Sequence, residues 1–170
     1  MPRMPHLTEH PLLTDVRHQL GRVPNLYAAM ANGPAALSGY LALRDSLTHG
    51  ELTARERELL ALFTAWRNEC GYCLAAHTFR GEKMRIPAEE LASVREADSP
   101  DPHTRAVLRL ADVVMAHRGR ISDERLAEAR AAGVTDAQVA EVVAHIALNV
   151  LSNYFNHVAE PDLDFPEVSR

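Results

Sequence analysis

Cysteine is scarce in this sequence: Cys70 and Cys73 are the only two in 170 residues. A scaffold stapled by several disulfides is therefore excluded. Aromatic residues make up 5% of the chain, and alternating β-branched runs are rare, which argues against a sheet-based fold. No Lys/Arg cluster occurs, and 18 basic against 23 acidic residues leave a net charge of −5. A nucleic-acid surface and an anionic-membrane surface are both disfavoured by that balance. The first residues, "MPRMPHLTEHPLL", contain no apolar run of signal-peptide length. No segment approaches the roughly 18 apolar residues of a membrane helix. The expectation is a cytoplasmic protein that binds neither nucleic acid nor membrane. In a reducing compartment a lone pair of cysteines is rarely a structural disulfide, so metal binding and redox chemistry come forward.

What is present reads as helix nearly throughout. The chain is 46% hydrophobic and 24% charged, and its length suits one domain over residues 1–170, with an arm at about 1–12 and a tail at about 159–170. "LLTDVRHQL" predicts a short helix ended by Gly21, and "VPNLYAAMANGP" a second one broken at Asn32-Gly33. Pro34 can open a helix running to about Thr48. Thr53 with Glu56, and Thr135 with Gln138, have the spacing of capping boxes ahead of apolar runs. Pro87 opens a short helix, "EADSPDPH" is a loop, and helices follow from about Pro102 to His117, from Ser122 to Gly133, and from Thr135 to about His157. The expected fold class is all-α.

Both cysteines lie in "NECGYCLAAH", residues 68–77. At 3.6 residues per turn, positions 70, 73 and 77 fall within roughly 60° of one another on a helix face. Asn68-Glu69 interrupts the preceding apolar helix, so Cys70 is expected near a helix start, where a thiolate is stabilised. His77 is one turn beyond Cys73, within reach of proton exchange. Glu58 lies twelve residues before Cys70, at the edge of the Leu59, Leu62, Phe63 and Trp66 stripe and beside Ala61 and Ala65. It reads either as a carboxylate facing a cleft or, like Glu56, as a solvated first-turn acid.

In the last helix His145, Asn149 and Asn153 share a face, opposite an apolar side of Val139, Val142, Val143, Ile146, Val150 and Tyr154. The polar stripe either lines the active site or an oligomer contact, or is merely solvated. His6, His10, His18, His49, His103 and His117 read as exposed, and Met30, Met84 and Met115 as core filler.

Glu58-x11-Cys70-x2-Cys73-x3-His77 resembles the signature of alkylhydroperoxidase D-like proteins, in the carboxymuconolactone decarboxylase superfamily. "GRVPNLYAAMANGPAALSGYLAL" and "LNVLSNYFNHVAEPDLDFP" are similar to the terminal helices of the shorter, peroxidase-related members, so the resemblance spans about residues 20–166. It implies an all-helical homo-oligomer, trimer or hexamer, with cofactor-free thiol peroxidase chemistry and no metal. Carried over, Cys73 is the peroxidatic thiol, Cys70 the resolving thiol, Glu58 the base and His77 the proton relay. Tyr72 stands where the best-known members have histidine, which alters the relay. Cys73 would be oxidised by a hydroperoxide to a sulfenic acid and captured by Cys70 as a disulfide. An external dithiol, on a lipoylated adaptor or a thioredoxin-like protein, would reduce that disulfide. Two other readings stay open. One is a zinc module using Cys70, Cys73, His77 and Glu58, although this supplies its ligands from one helix face and a neighbour rather than from two knuckles. The other is an acid/base enzyme of the lactone decarboxylase type, whose members generally lack the cysteine pair.

Overall fold

A computed structural model describes residues 1–168. Among these the chain forms α1 (Pro11–Leu20), α2 (Asn25–Met30), α3 (Pro34–Leu47), α4 (Ala54–Arg67), α5 (Gly71–Lys83), α6 (Ala88–Ser93), α7 (Pro102–Ala116), α8 (Asp123–Ala131) and α9 (Asp136–Ala159), with a 3-10 turn after α6. The described residues contain no strand. The protein is all-α, as its composition and periodicity led us to expect.

Helix α4 is the central element. Leu59, Leu60, Leu62, Phe63 and Ala65 are all buried, so the helix is covered on nearly every side. It packs against α5, α7 and α9. Both capping boxes form: Thr53 with Glu56 opens α4, and Thr135 with Gln138 opens α9. Each satisfies otherwise orphaned backbone donors, a contribution of about 1 kcal/mol.

The turn from α4 to α5 positions the cysteines. Glu69 takes the left-handed region at φ 54°. Its N–H donates to Trp66 O at 3.1 Å, and the Cys70 N–H donates to Ala65 O at 3.0 Å. These two bonds make a Schellman closure of α4. Its last residue, Cys70, is at the same time the N-cap of α5.

Two apolar clusters fill the interior. One joins α4, α5, α7 and α9; the other joins α1, α2 and α3 with Leu148 of α9. Tyr72 packs against both clusters. The site lies at their junction.

Helix α9 is oriented opposite to the expectation of a solvated polar stripe. His145, Asn149, Asn153 and Asn156 are buried, whereas Val143 and Tyr154 are 49% and 58% exposed. The polar groups face the sulfur pair and a cavity, where their hydrogen-bonding capacity is used, and part of the apolar face is left at the surface. Met84 is likewise not core filler: it is 40% exposed and borders the cavity. Glu56 is not a solvated acid. It is 5% exposed and its Oε1 accepts from His103 Nδ1 at 2.6 Å, which also removes His103 from the idle surface histidines.

The terminal segments are both pinned. Leu7 N–H donates to Ala28 O at 3.0 Å, and Arg3 N–H to Ala159 O at 2.9 Å. After α9 the tail turns back over α2 and α5. There Asn25 donates to Asp162 O at 2.9 Å and, from its backbone, to Asp164 Oδ2 at 3.1 Å.

Candidate active site

Cys70 and Cys73 are both free and both buried. As N-cap, Cys70 accepts the Cys73 backbone N–H on its sulfur at 3.3 Å. Asn156, from α9, points its amide at the pair, with Nδ2 3.1 Å from Cys73 Sγ and 3.8 Å from Cys70 Sγ. The hydrogen bond from Cys73 to Cys70, then the backbone N–H and Asn156, hold the Cys70 thiol below its ordinary value against the opposing effect of burial. The same shared hydrogen bond, together with burial, pushes the Cys73 thiol up. Of the two thiols, Cys70 therefore gives up its proton first, and the Cys73 S–H is left bonded to the Cys70 sulfur. The helix start expected at Cys70 contributes through the Cys73 backbone N–H, after the larger effect of the Cys73 thiol itself.

Access divides the pair differently. A cavity of about 520 Å³ opens beside the site, and Cys73 lines it while Cys70 does not. The sulfur that a substrate can reach is thus Cys73, backed by the better thiolate.

Glu58 and His77 line the same cavity. Glu58 is 4% exposed, which rules out the solvated reading. Burial by itself would raise its carboxyl. The charge and hydrogen bond of His77, with Arg80 and Arg57, outweigh that and hold it below the ordinary value. Glu58 is therefore a carboxylate, and the His77 Nδ1–H donates to its Oε1 at 2.7 Å. Its other oxygen, Oε2, lies 2.9 Å from Arg80 Nη2. With both oxygens engaged, Glu58 fixes the hydrogen on Nδ1 and leaves Nε2 as the basic atom of the His77 ring.

Of the side chains expected to surround the site, His145 and Asn149 line the cavity. Asn153 does not; its Oδ1 accepts from Asn68 Nδ2 at 2.9 Å and braces the turn before Cys70. Tyr72 lines the cavity and is locked in place. Its hydroxyl donates to Asp164 Oδ1 at 2.6 Å and accepts the Leu26 N–H at 3.2 Å. Burial, then the Asp164 contact, pushes the phenol up, so it stays protonated and serves as an anchor. Phe165 follows Asp164 onto the cavity wall, edge-on to Tyr72 at 5.6 Å between ring centroids.

Three contributors escaped the sequence reading. Asn156 continues the Asn149–Asn153 face by one more turn, a signal the sequence does contain. Arg80 lies one turn after His77 and is visible only once Glu58 is known to face it. Asp164 reaches Tyr72 across the fold, and nothing local marks it.

His77 is turned toward Glu58, and among the described residues no three His, Cys, Asp or Glu side chains converge as a metal-holding group. No single described helix is long and apolar enough to cross a membrane.

The carboxymuconolactone decarboxylase family matches residues 34–116, a span that holds Glu58, both cysteines and His77. An uncharacterized protein of Cupriavidus necator is 29% identical over 85 residues, covering 49% of this chain and 75% of that protein. An uncharacterized peroxidase-related protein from Ralstonia eutropha JMP134, described as an alkylhydroperoxidase AhpD core, shares the fold. Its TM-score is 0.83 at 24% identity, over 96% of this chain and 92% of the other. The debrominase Bmp8, in complex with 2,3,4-tribromopyrrole, has a TM-score of 0.73 at 15% identity, over 91% and 84% of the two chains. Residues 34–116 thus match the carboxymuconolactone decarboxylase family, and the chain has the fold of the alkylhydroperoxidase AhpD core structure.

Proposed function

We propose that the protein is a thiol peroxidase that works through a Cys70–Cys73 dithiol/disulfide cycle, without a cofactor. One observation carries this reading: Cys73 alone of the pair lines the cavity, with the Cys70 sulfur behind it and the Glu58–His77 pair on the same wall. Moving the shared proton from Cys73 to Cys70 puts the thiolate on the sulfur that faces substrate. That sulfur attacks the terminal oxygen of a hydroperoxide, the O–O bond breaks, and the leaving alkoxide takes a proton relayed by His77. Cys73 is then a sulfenic acid and the product an alcohol or, from hydrogen peroxide, water. The Cys70 thiol displaces water from the sulfenic acid and forms the disulfide. A dithiol, lipoylated or thioredoxin-like, returns both cysteines to thiols by exchange. A lactone decarboxylase-type role uses no such pair, and a zinc module would need His77, which is committed to Glu58.

The test is a pair of variants examined by mass spectrometry after one equivalent of peroxide. Cys70→Ser is expected to accumulate a trappable sulfenic acid on Cys73 and to stop after one turnover. Cys73→Ser is expected to consume peroxide far more slowly, with Cys70 left mostly reduced. Sulfenic acid on Cys70 in the second variant, with none on Cys73 in the first, reverses the roles. No oxidation in either variant removes the peroxidase reading.

A further inference from the structure

Four arginines line the cavity beside Cys73: Arg22, Arg44, Arg57 and Arg80. Three are matched by carboxylates. Arg22 lies 3.2 Å from Asp164, Arg44 2.6 Å from Asp45 and Arg80 2.9 Å from Glu58. Arg57 has no carboxylate partner among the described residues; its Nη1 is tethered to the Leu52 carbonyl oxygen. A guanidinium has five N–H donors, so most of this fork is uncommitted. Its charge acts on both Glu58 and His145, and all three side chains line the same cavity.

His145 supplies an independent sign. It is 5% exposed and lines the cavity, yet its Nε2 is buried without a hydrogen-bond partner. Burial, then the Arg57 charge, lowers its pKa to about 4, so the ring is neutral and can offer one N–H. An unmade hydrogen bond on a buried nitrogen is costly, and an unneutralised guanidinium beside it doubles the demand for a partner from outside the chain. The nearby acids do not meet that demand. Glu58 is taken by His77 and Arg80, and Glu141 by the backbone N–H groups of Glu51 and Leu52.

We propose that Arg57 and His145 form a carboxylate-binding subsite, and that the cavity accepts an organic hydroperoxide bearing an acid group in preference to hydrogen peroxide. This rests on the peroxidase reading. The cavity volume of about 520 Å³ far exceeds what a water-sized peroxide occupies, on the order of 30 Å³. Leu26, Phe79, Leu148 and Phe165 give it an apolar wall for a hydrocarbon body. A carboxylate laid on the Arg57 fork makes charge-assisted bonds, with His145 donating alongside. The acid group itself does not react; it holds the O–O bond at Cys73.

The experiment compares linoleic acid hydroperoxide, its methyl ester and hydrogen peroxide as oxidants of the wild-type protein, reading Cys73 oxidation in single turnover. The acid is expected to react at least about tenfold faster than the ester, corresponding to roughly 1.4 kcal/mol. In Arg57→Gln the acid-to-ester ratio should fall toward one, and in Arg57→Lys it should be largely kept. The ratio is taken within each variant, so a general loss of activity does not disturb it. A wild-type ratio of one, or an unchanged ratio in Arg57→Gln, overturns the subsite. If none of the three peroxides oxidises Cys73, the peroxidase reading fails, and calorimetry with linoleic acid and methyl linoleate decides the subsite separately. Acid-selective binding that disappears in Arg57→Gln supports it, and equal or absent binding overturns it.

Discussion

Asn156 directs its side-chain amide at the sulfur of Cys73 from 3.1 Å. It does so from the far end of α9, the helix that also carries His145 and Asn149, and it is 6% exposed. An amide N–H donated to a thiolate is a charge-assisted bond, worth about 1.5–3 kcal/mol. Replacing Asn156 by Leu keeps the volume and removes the donor. The thiol pair should then titrate about one to two pH units higher. Iodoacetamide alkylation followed against pH is the measurement. An unmoved midpoint would mean that the amide only fills space.

Asn156 also marks where sequence reading stops. Cys70, Cys73 and His77 could be brought together from spacing, because they lie on one helix; Glu58 joined them only through the family resemblance, since spacing left it open between a cleft and solvent. The capping boxes at Thr53 and Thr135 were equally legible, since a capping box is a local pattern. The direction in which α9 presents its polar face was not, because that depends on what packs against it. Helical periodicity placed His145, Asn149 and Asn153 on one face, but only tertiary contact turns that face inward. The Tyr72–Asp164 and Glu56–His103 bonds join residues far apart in sequence, and no local pattern encodes such a pairing. Glu56 could be read correctly as a cap and still be misread as solvated.

Glu58→Gln tests the role of the carboxylate. The amide can offer a hydrogen to His77 Nδ1, which favours the wrong ring tautomer, and it leaves Arg80 without its partner. Proton relay to the leaving oxygen should suffer, by about a hundredfold in the oxidation step. The fold should persist, because the carboxylate makes no capping or core contact. An identical oxidation rate and pH–alkylation profile in the variant would reduce Glu58 to a buried structural ion.

His103 links the two capping boxes, and this gives a pH dependence with a definite sign. Its Nδ1 meets Glu56 Oε1 at 2.6 Å and its Nε2 meets Gln138 Oε1 at 3.1 Å. The Gln138 oxygen is identified by the Thr135 N–H it also accepts, at 3.0 Å. Both ring nitrogens therefore face acceptors, an arrangement satisfied by the imidazolium. Partial burial would lower the pKa, but Glu56 and Gln138 prevail and raise it above the ordinary histidine value of 6.5. A histidine raised in the folded state contributes stability that is fully present below its unfolded value and is lost as pH rises through the folded one. The urea midpoint of the wild type should accordingly decline from about pH 6.5 upward. In His103→Gln that decline should flatten. Parallel curves for the two proteins would remove His103 as its source.

Helix α9 carries its largest unmet demand on the outside. Val143, Leu151, Tyr154 and Val158 are 49%, 44%, 58% and 64% exposed. Their spacing of eight, three and four residues keeps them within about 80° of one helix face. A continuous apolar stripe of this kind on a protein surface marks an interaction site. We expect it to be covered by another copy of the chain in a trimer or hexamer, as the resemblance to alkylhydroperoxidase D-like proteins implies. Each side chain buried there would contribute about 1.5–3 kcal/mol, so two substitutions should suffice to break the contact. Analytical ultracentrifugation of the wild type at micromolar concentration should show the oligomer, and Leu151→Asp combined with Tyr154→Asp should shift it to monomer. Both positions point away from the cysteines, so the double variant should still form the Cys70–Cys73 disulfide with peroxide. A wild type that sediments only as monomer would refute the assignment of this face, and an oligomer untouched by the two aspartates would place the contact elsewhere.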